Sequence, residues 1–417
     1  MNVSTTPSSA SAALLEKCDR YYVPVYRPRA LVLDRGVGSR VWDTDGREYV
    51  DFTAGIAVSA LGHADPELIT ALTDQASKLW HTSNVFVSAP PLLLAEELVD
   101  ASGFAERVFL CNSGAEANEA AIKLVRRWAA AQGRPADRRT ILSFQGSFHG
   151  RTLATVTATA QPKYQEGYEP LPGGFRYAAY NDIDSVREAM AQGDVAAVLI
   201  EPIQGEGGVT PARKGFLTEL RALCDLHGAL LVLDEIQAGM GRTGMLWAHQ
   251  WEGVRPDIVT VAKALGAGFP IGAMLAGPAV AEVMQYGSHG STFGGNPLAA
   301  AVARVALRRI RSHEVLANVA RQSDRLIAGL QRIGTSLSIF ADVRGRGLLL
   351  GAQLADAYRG RAGEVLDAAA RNGLLLLQAG PDVLRLVPPL TISDGEVTNG
   401  LQRLEQALRE FVTVASG

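Results

Sequence analysis

Two short apolar runs, each stopping abruptly at a charged residue, constrain this chain more than any other feature. Leu230-Leu231-Val232-Leu233 runs into Asp234-Glu235, with Gln237 close behind. Asp257-Ile258-Val259-Thr260-Val261-Ala262 runs into Lys263 and then a glycine-rich stretch. Both runs are rich in branched residues and lack polar alternation, the pattern of strands buried on both faces of a parallel sheet. Ligands of open α/β sheets sit just beyond the carboxyl ends of the strands, so Asp234 and Lys263 are expected to face one site. An amine that can condense with an aldehyde and a carboxylate that can pair with a pyridinium nitrogen suit pyridoxal phosphate. Either residue alone reads as the first exposed position after a buried strand. The pair, with Gln237, carries the reading.

The rest of the chain repeats the alternation. Strands are predicted at Val108–Cys111, Thr140–Phe144, Ala196–Glu201, Leu230–Asp234 and Ile258–Ala262, with helices between them such as Ala115–Ala131 and Gly215–His227. This predicts a large α/β domain around a mostly parallel sheet. Residues 1–12, small and polar, are expected to form a disordered tail. Residues 31–53 read as short strands around an Asp45-Gly46 turn. Beyond residue 308 a helix near Leu316–Ile333, strands at Gly347–Leu354, Leu374–Ala379 and Val383–Val387, and a last helix over Asp394–Val412 predict a smaller α+β domain.

Composition excludes several classes of function. A net charge of -3 over 417 residues, with both signs mixed, leaves no electrostatic footprint for nucleic acid or an anionic membrane. No apolar stretch reaches transmembrane length, and the N-terminus, with no basic residue before Lys17, resembles neither a secretory signal nor a transit peptide. A cytoplasmic location is the expectation. The three cysteines, Cys18, Cys111 and Cys224, are far apart and form no CxxC, so neither disulfide framework nor zinc site is indicated. No metal is expected.

Several further segments are placed to carry chemistry. Asn112-Ser113-Gly114 between a strand and a helix reads equally as an ordinary serine N-cap and as an anion site built from helix N–H groups. Gly114 leaves room for a close approach there. Arg151, in SFHGRT, has the two-pronged geometry that grips a carboxylate, and reads otherwise as a solvated surface arginine. His149 beside it reads as structural. Glu206 is a loop residue beside glycines, and Arg385 a charge at a strand edge. HGSTFGGNPLA at 289–299 has no regular period and reads as a functional loop. GAGFPIG and GRGLLLG do not fit the dinucleotide fingerprint.

DEIQAGMGRTG followed by AKALGAGFPIG resembles the cofactor core of the class III (ω-amino acid) aminotransferases, and the likeness extends from about Val23 to the final helix. It implies a fold type I (aspartate aminotransferase-like) transferase, divided as a tail (1–12), an N-terminal segment joining the small domain (13–55), a large cofactor domain (56–307) and a C-terminal small domain (308–417). It also implies pyridoxal 5'-phosphate on Lys263. Asp234 would pair with the ring nitrogen, Gln237 with the ring 3-oxygen, and Phe148 would stack on the ring. Ser113, Gly114 and Ala115 would hold the phosphate, and Glu235 would join the cofactor site. Thr292 would reach the phosphate of the neighbouring subunit, so a homodimer with shared sites is implied. Arg151, Ser291, Glu206 and Arg385 would serve the substrate, with Glu206 pairing Arg385 in one half-reaction.

Within that family TAGIAVSALGHADP at 53–66 is similar to the acetylornithine group and lacks the tyrosine-containing segment of enzymes acting on free ornithine. The resemblance therefore implies ping-pong transfer of the δ-amino group of N2-acetyl-L-ornithine to 2-oxoglutarate, as in arginine biosynthesis. Succinylornithine and N-succinyl-diaminopimelate are alternative donors, with ornithine, 4-aminobutyrate and lysine behind them. A decarboxylase or aminomutase on the same scaffold would share Lys263 and Asp234. A non-catalytic cofactor-binding regulator would need a DNA-binding domain, for which no basic helix is evident.

Overall fold

Burial on both faces explains why the two diagnostic runs lack polar alternation. In the computed structural model, which describes residues 9–415, they are neighbouring strands of a seven-stranded sheet. Its strands are β1 (Arg107–Cys111), β2 (Thr140–Phe144), β3 (Phe175–Ala178), β4 (Val195–Ile200), β5 (Leu230–Asp234), β6 (Ile258–Val261) and β7 (Gly272–Ala276). Their spatial order is β1-β7-β6-β5-β4-β2-β3. Strands β6, β5, β4, β2 and β3 are parallel. Successive side chains point to opposite faces. Leu230 and Val232 accordingly join Ile258, Met274 and the helix Gly114–Ala131 in one buried cluster. Leu231 and Leu233 join Val259, Val261, Phe216 and Leu307 in the other. Each such side chain contributes roughly 1.5–3 kcal/mol of burial free energy, so a polar residue at any of these positions has no tolerated face.

Strand β7 escaped the sequence reading. Its residues, Gly-Ala-Met-Leu-Ala, are small and follow the glycine-rich stretch directly. It lies antiparallel between β6 and β1, which a run of this length cannot reveal on its own. Ser113 caps the helix Gly114–Ala131 by accepting the Glu116 N–H at 3.2 Å, and the predicted helix after residue 215 is Phe216–His227, closed by Gly228 at φ 59°.

The C-terminal region forms an antiparallel sheet from Phe340–Arg346, Leu349–Leu354, Val383–Leu386 and Leu377–Gln378, flanked by helices His313–Leu337, Ala362–Arg371 and Asp394–Ala415. Phe340–Arg346 was not foreseen, because FADVRGR carries charge at every second position, Asp342, Arg344 and Arg346, and has a glycine at 345. The strand expected over Leu374–Ala379 is two pieces in different sheets. Leu374–Leu375 pairs in parallel with Glu48–Asp51, and Leu377–Gln378 pairs with Val383–Leu386. Residues 31–53 form the expected strands, with Gly46 at φ 80° turning Arg40–Asp43 into Glu48–Asp51. The expected disordered tail falls outside the described residues up to residue 8. Its remaining part, 9–12, is instead the first turn of helix Ser9–Tyr21.

Candidate active site

A cavity of about 410 Å³ opens beyond the carboxyl ends of β2, β4, β5 and β6. Asp234 ends β5 and Lys263 follows β6 by two residues, and both line it. The parallel register sets Asp234 opposite Thr260, which brings the two chain segments to one level.

Asp234 is held by three donors. Its Oδ2 accepts from Asn118 Nδ2 at 2.8 Å and from His149 Nδ1 at 2.7 Å, and its Oδ1 from the Ile236 N–H at 3.1 Å. Asn118 is fixed in turn, because its Oδ1 accepts from the Thr260 hydroxyl at 2.7 Å and its Nδ2 also reaches the His149 carbonyl. The backbone N–H of His149 donates to Thr159 Oγ1 at 2.8 Å. His149 therefore orients the carboxylate and carries its proton on Nδ1. Asn118 and Thr260 were missed. Asn118 was findable, being a fully buried polar residue on the apolar face shared with Ala121, Leu124 and Val125.

Lys263 adopts φ 44°, a left-handed conformation that costs a non-glycine residue on the order of 1–3 kcal/mol and clusters at functional sites. Its side chain lies in the cavity wall, where desolvation lowers the ammonium pKa to about 8, against the opposing pull of Glu206. Glu201, one residue beyond β4, was also missed. Burial and then the Asp234 charge raise its carboxyl well above the ordinary range. Its Oε2 accepts the Phe148 N–H at 3.0 Å, which fixes the loop bearing Phe148 in the cavity wall.

At the other end of the cavity stand Ser113, Gly114 and Ala115. The hydrogen bonds at this corner are those of a serine N-cap. The Ser113 hydroxyl is a helix cap and also donates to Glu116 Oε2 at 3.1 Å, while the helix N-terminus faces the cavity. Packing within the chain also calls for glycine at 114. A Cβ there would stand 2.8 Å from Ile236 Cδ1, so Gly114 admits the Ile236 side chain.

Gln237 lines the cavity, and its amide lies so close over Gly205 that a Cβ there would sit 2.2 Å from Gln237 Oε1. The same oxygen accepts from Arg385 Nη1 at 3.3 Å, and Arg385 also donates to the Gly205 carbonyl at 2.9 Å and to Glu206. Glu206 and Arg385 are thus coupled to the cavity through Gln237. Burial raises the Glu206 carboxyl, and the Arg385 guanidinium overrides it, leaving the net pKa below the ordinary value. Arg151 is exposed at the cavity rim.

Glu235, Thr292 and Ser291, like Glu206 and Arg385, lie outside the cavity lining. Glu235 is turned away from the cavity and fully buried. Its carboxylate accepts the N–H groups of Ala248 and His249 at 2.6 and 2.9 Å and His149-like pairing from His249 Nδ1 at 2.7 Å, so it anchors the 235–249 segment rather than a cofactor. Thr292 is exposed and lines no part of its own chain's cavity. Ser291 stands between, its Oγ accepting from Asn112 Nδ2 at 3.1 Å and from the Gly294 N–H at 3.0 Å.

A lowered amine and a fixed carboxylate sharing one cleft at the strand ends of a doubly covered sheet, with an α+β region beside it, define a two-domain α/β transferase. The chain belongs to the class-III aminotransferases, whose family pattern matches residues 21–408. It is 70% identical to the acetylornithine aminotransferase of Xanthomonas campestris pv. campestris, covering 94% of this chain and 96% of that one. A Pseudomonas aeruginosa protein described as succinylornithine transaminase/acetylornithine aminotransferase is 52% identical, with 97% and 99% covered. The crystal structure of N-acetylornithine aminotransferase from Stenotrophomonas maltophilia superposes with a TM-score of 0.86 at 60% identity, covering 96% of this chain and all of that one.

Proposed function

We propose that this chain is a pyridoxal phosphate-dependent aminotransferase that moves the δ-amino group of N2-acetyl-L-ornithine to 2-oxoglutarate. The products are N-acetyl-L-glutamate 5-semialdehyde and L-glutamate, a step of arginine biosynthesis. The observation that carries it is Lys263 and Asp234 facing one cavity with Arg151 at its rim.

The residues fit the cofactor. Lys263, depressed to about 8, is more readily deprotonated near neutral pH than an ordinary lysine. Asp234, held by three donors, offers a fixed negative charge for a ring nitrogen. The Ser113–Ala115 helix start offers an anion cradle, Phe148 a face for stacking, and Gln237 a donor for the ring oxygen. When bound, pyridoxal phosphate supplies an aldehyde for amines and a ring that accepts the electrons of the broken C–H bond. Lys263 Nζ takes a proton from the substrate carbon and returns it on the other side of the transfer. Asp234 would pair with the ring nitrogen and keep it protonated. Arg151 grips the substrate carboxylate, and Glu206 neutralises Arg385 while the acylated donor is bound. Release of that pair frees Arg385 for the second carboxylate of 2-oxoglutarate.

The discriminating segment 53–66 supports an acylated donor. It contributes Val58 to a cavity wall that also includes Phe269, Pro270 and Ile271, and so presents apolar surface. A free α-ammonium would lose hydration there without a partner. The test is kcat/KM for N-acetyl-ornithine, N-succinyl-ornithine, ornithine and 4-aminobutyrate, each with 2-oxoglutarate. Acylated ornithines should lead by roughly a hundredfold or more, the scale of one unpaired polar group. Equal use of free ornithine would reject the substrate assignment. Succinylornithine as the better donor would favour the second reading, which the double description of the Pseudomonas relative supports.

The same reading makes the enzyme a cytoplasmic homodimer. Trp80, Phe86, Val87 and Phe293 are exposed beside the 289–299 loop. Asn84 Nδ2 ties these segments together by donating to the Ser291 and Gly294 carbonyls at 3.0 and 3.1 Å. Exposed apolar side chains of this kind fit a subunit contact, and Thr292 is exposed next to Phe293. Among the described residues no helix is long and apolar enough to cross a membrane.

A further inference from the structure

Arg151 reaches the cavity rim without an anionic partner. Its guanidinium makes no hydrogen bond or ion pair among the described residues, yet its carbon lies 4.0 Å from the centroid of the Tyr164 ring. That is stacking distance, at which the planar cation covers the ring face and keeps its in-plane N–H donors available. Phe148 is farther, at 5.5 Å. Tyr164 also meets the edge of Phe148, with centroids 5.9 Å apart and planes at 84°.

The ring is firmly mounted although it sits on a single turn, Pro162–Gln165. Gln161 ties the start of that turn to the carbonyls of Gly146 and Ser147, at 3.2 and 2.9 Å. Gln165 ties its end to the carbonyls of Val156, Thr157 and Thr159, between 2.9 and 3.2 Å. Gln161 thus clamps the turn onto the loop that carries Phe148 and Arg151, and Gln165 clamps it onto the helix that follows that loop, Leu153–Ala158. Lys163 adds a second cation 4.6 Å from the same ring.

We propose that Tyr164 is a positioning residue for carboxylate recognition: its ring face preorganises the Arg151 guanidinium for the carboxylate of both the amino donor and the keto-acid acceptor. The inference rests on the assignment of Arg151 to the substrate carboxylate. An arginine on a long flexible stem loses rotamer entropy when it grips a ligand, and a stacked platform removes part of that cost before binding. The ring face of Tyr164, not its hydroxyl, meets the guanidinium.

The test measures steady-state constants of the holoenzyme for N-acetyl-ornithine, for 2-oxoglutarate and for a simple alkylamine that lacks a carboxylate. Tyr164→Ala and Tyr164→Leu should raise KM for both carboxylate substrates about five- to thirtyfold with little change in kcat, the range expected for losing a cation–π contact. Tyr164→Phe should match the wild type. The alkylamine and the cofactor's dissociation constant and absorbance should be indifferent to all three. In an Arg151→Ala background Tyr164→Ala should add nothing. A silent Tyr164→Ala and Tyr164→Leu beside a damaging Arg151→Ala overturns the proposal and leaves the arginine assignment standing. An equal loss with the alkylamine, weakened cofactor binding, or an undiminished effect in the Arg151→Ala background overturns it by showing that Tyr164 acts through Phe148 or the fold. If Arg151→Ala itself leaves KM unchanged, both assignments fall.

Discussion

Arg385 is almost wholly buried, with 2% of its side chain exposed, and its one carboxylate partner, Glu206, retains 22%. The buried cation is fixed by the sheet, whereas the anion sits in a loop beside Gly205 and Gly207 and is the member free to leave. Removing Arg385 should therefore damage chiefly the half-reaction that needs a second carboxylate site. Arg385→Ala is expected to slow the 2-oxoglutarate half by about 2–4 kcal/mol in transition-state binding, the worth of a lost charge-assisted contact. Arg151→Ala should harm both halves. Single-turnover rates measured separately for each half decide the matter, and equal losses in both for Arg385→Ala would falsify the division of labour.

Lys263 gives a pH-dependent signature in the protein without cofactor. Its pKa falls from 10.5 unfolded to about 8 folded, so the unfolded chain binds the extra proton between those values. Stability attributable to this residue is thus lowest below pH 8 and recovers as pH rises to 10.5. Lys263→Met should stabilise the apoprotein by on the order of 2–3 kcal/mol at pH 7, with the gain fading above pH 8. Denaturant titrations of both proteins at pH 7, 9 and 10.5 measure it, and a pH-independent difference would contradict the buried-amine reading. In the loaded enzyme, borohydride should fix the cofactor on the peptide containing Lys263 and not on one containing Lys123 or Lys214.

Burial and then the Asp234 charge favour the protonated form of Glu201 and hold its proton to higher pH than an ordinary carboxyl. Glutamine mimics that form and still accepts the Phe148 N–H. Glu201→Gln is expected to leave cofactor affinity within about threefold, while Glu201→Ala strands that N–H at a cost of about 1–3 kcal/mol. A raised folded pKa means the wild type loses stability as pH climbs above the unfolded value. Glu201→Gln should accordingly gain on it as pH rises above 4.5. Thermal unfolding of the three proteins across that range is the check; glutamine as harmful as alanine would argue for an ionised Glu201.

The exposed Thr292 leads to a complementation experiment. A Lys263→Ala chain mixed with a Thr292→Ala chain forms heterodimers in which one site carries neither lesion. Partial recovery of activity, up to about a quarter of wild type for random pairing of equal amounts, is expected if the site is shared. Well-formed heterodimers with no recovered activity would show that Thr292 serves its own chain.

The runs Leu230–Asp234 and Ile258–Lys263 were legible because a strand covered on both faces leaves no choice of residue type until it ends. The change of chemistry at Asp234 and Lys263 marks that end. Local signals of this kind, together with the serine cap at 113 and the glycine stop at 228, determined the alternating fold, its strand ends and the positions of the amine and the acid. Nothing local distinguished the partners of those groups. Asn118 reaches Asp234 across 116 residues of chain, and Arg385 reaches Gln237 across 148. Only strand order brings such residues to hydrogen-bond distance. Glu235 illustrates the opposite failure: adjacent to Asp234 in sequence, it points away because neighbouring side chains leave the backbone in different directions once the strand ends. The tertiary structure likewise decided that Gly114 yields its space to Ile236, that Leu374–Ala379 divides between two sheets, and that Arg151 rests on Tyr164. Each of these depends on what packs opposite a residue, and a linear pattern carries the residue without its neighbour.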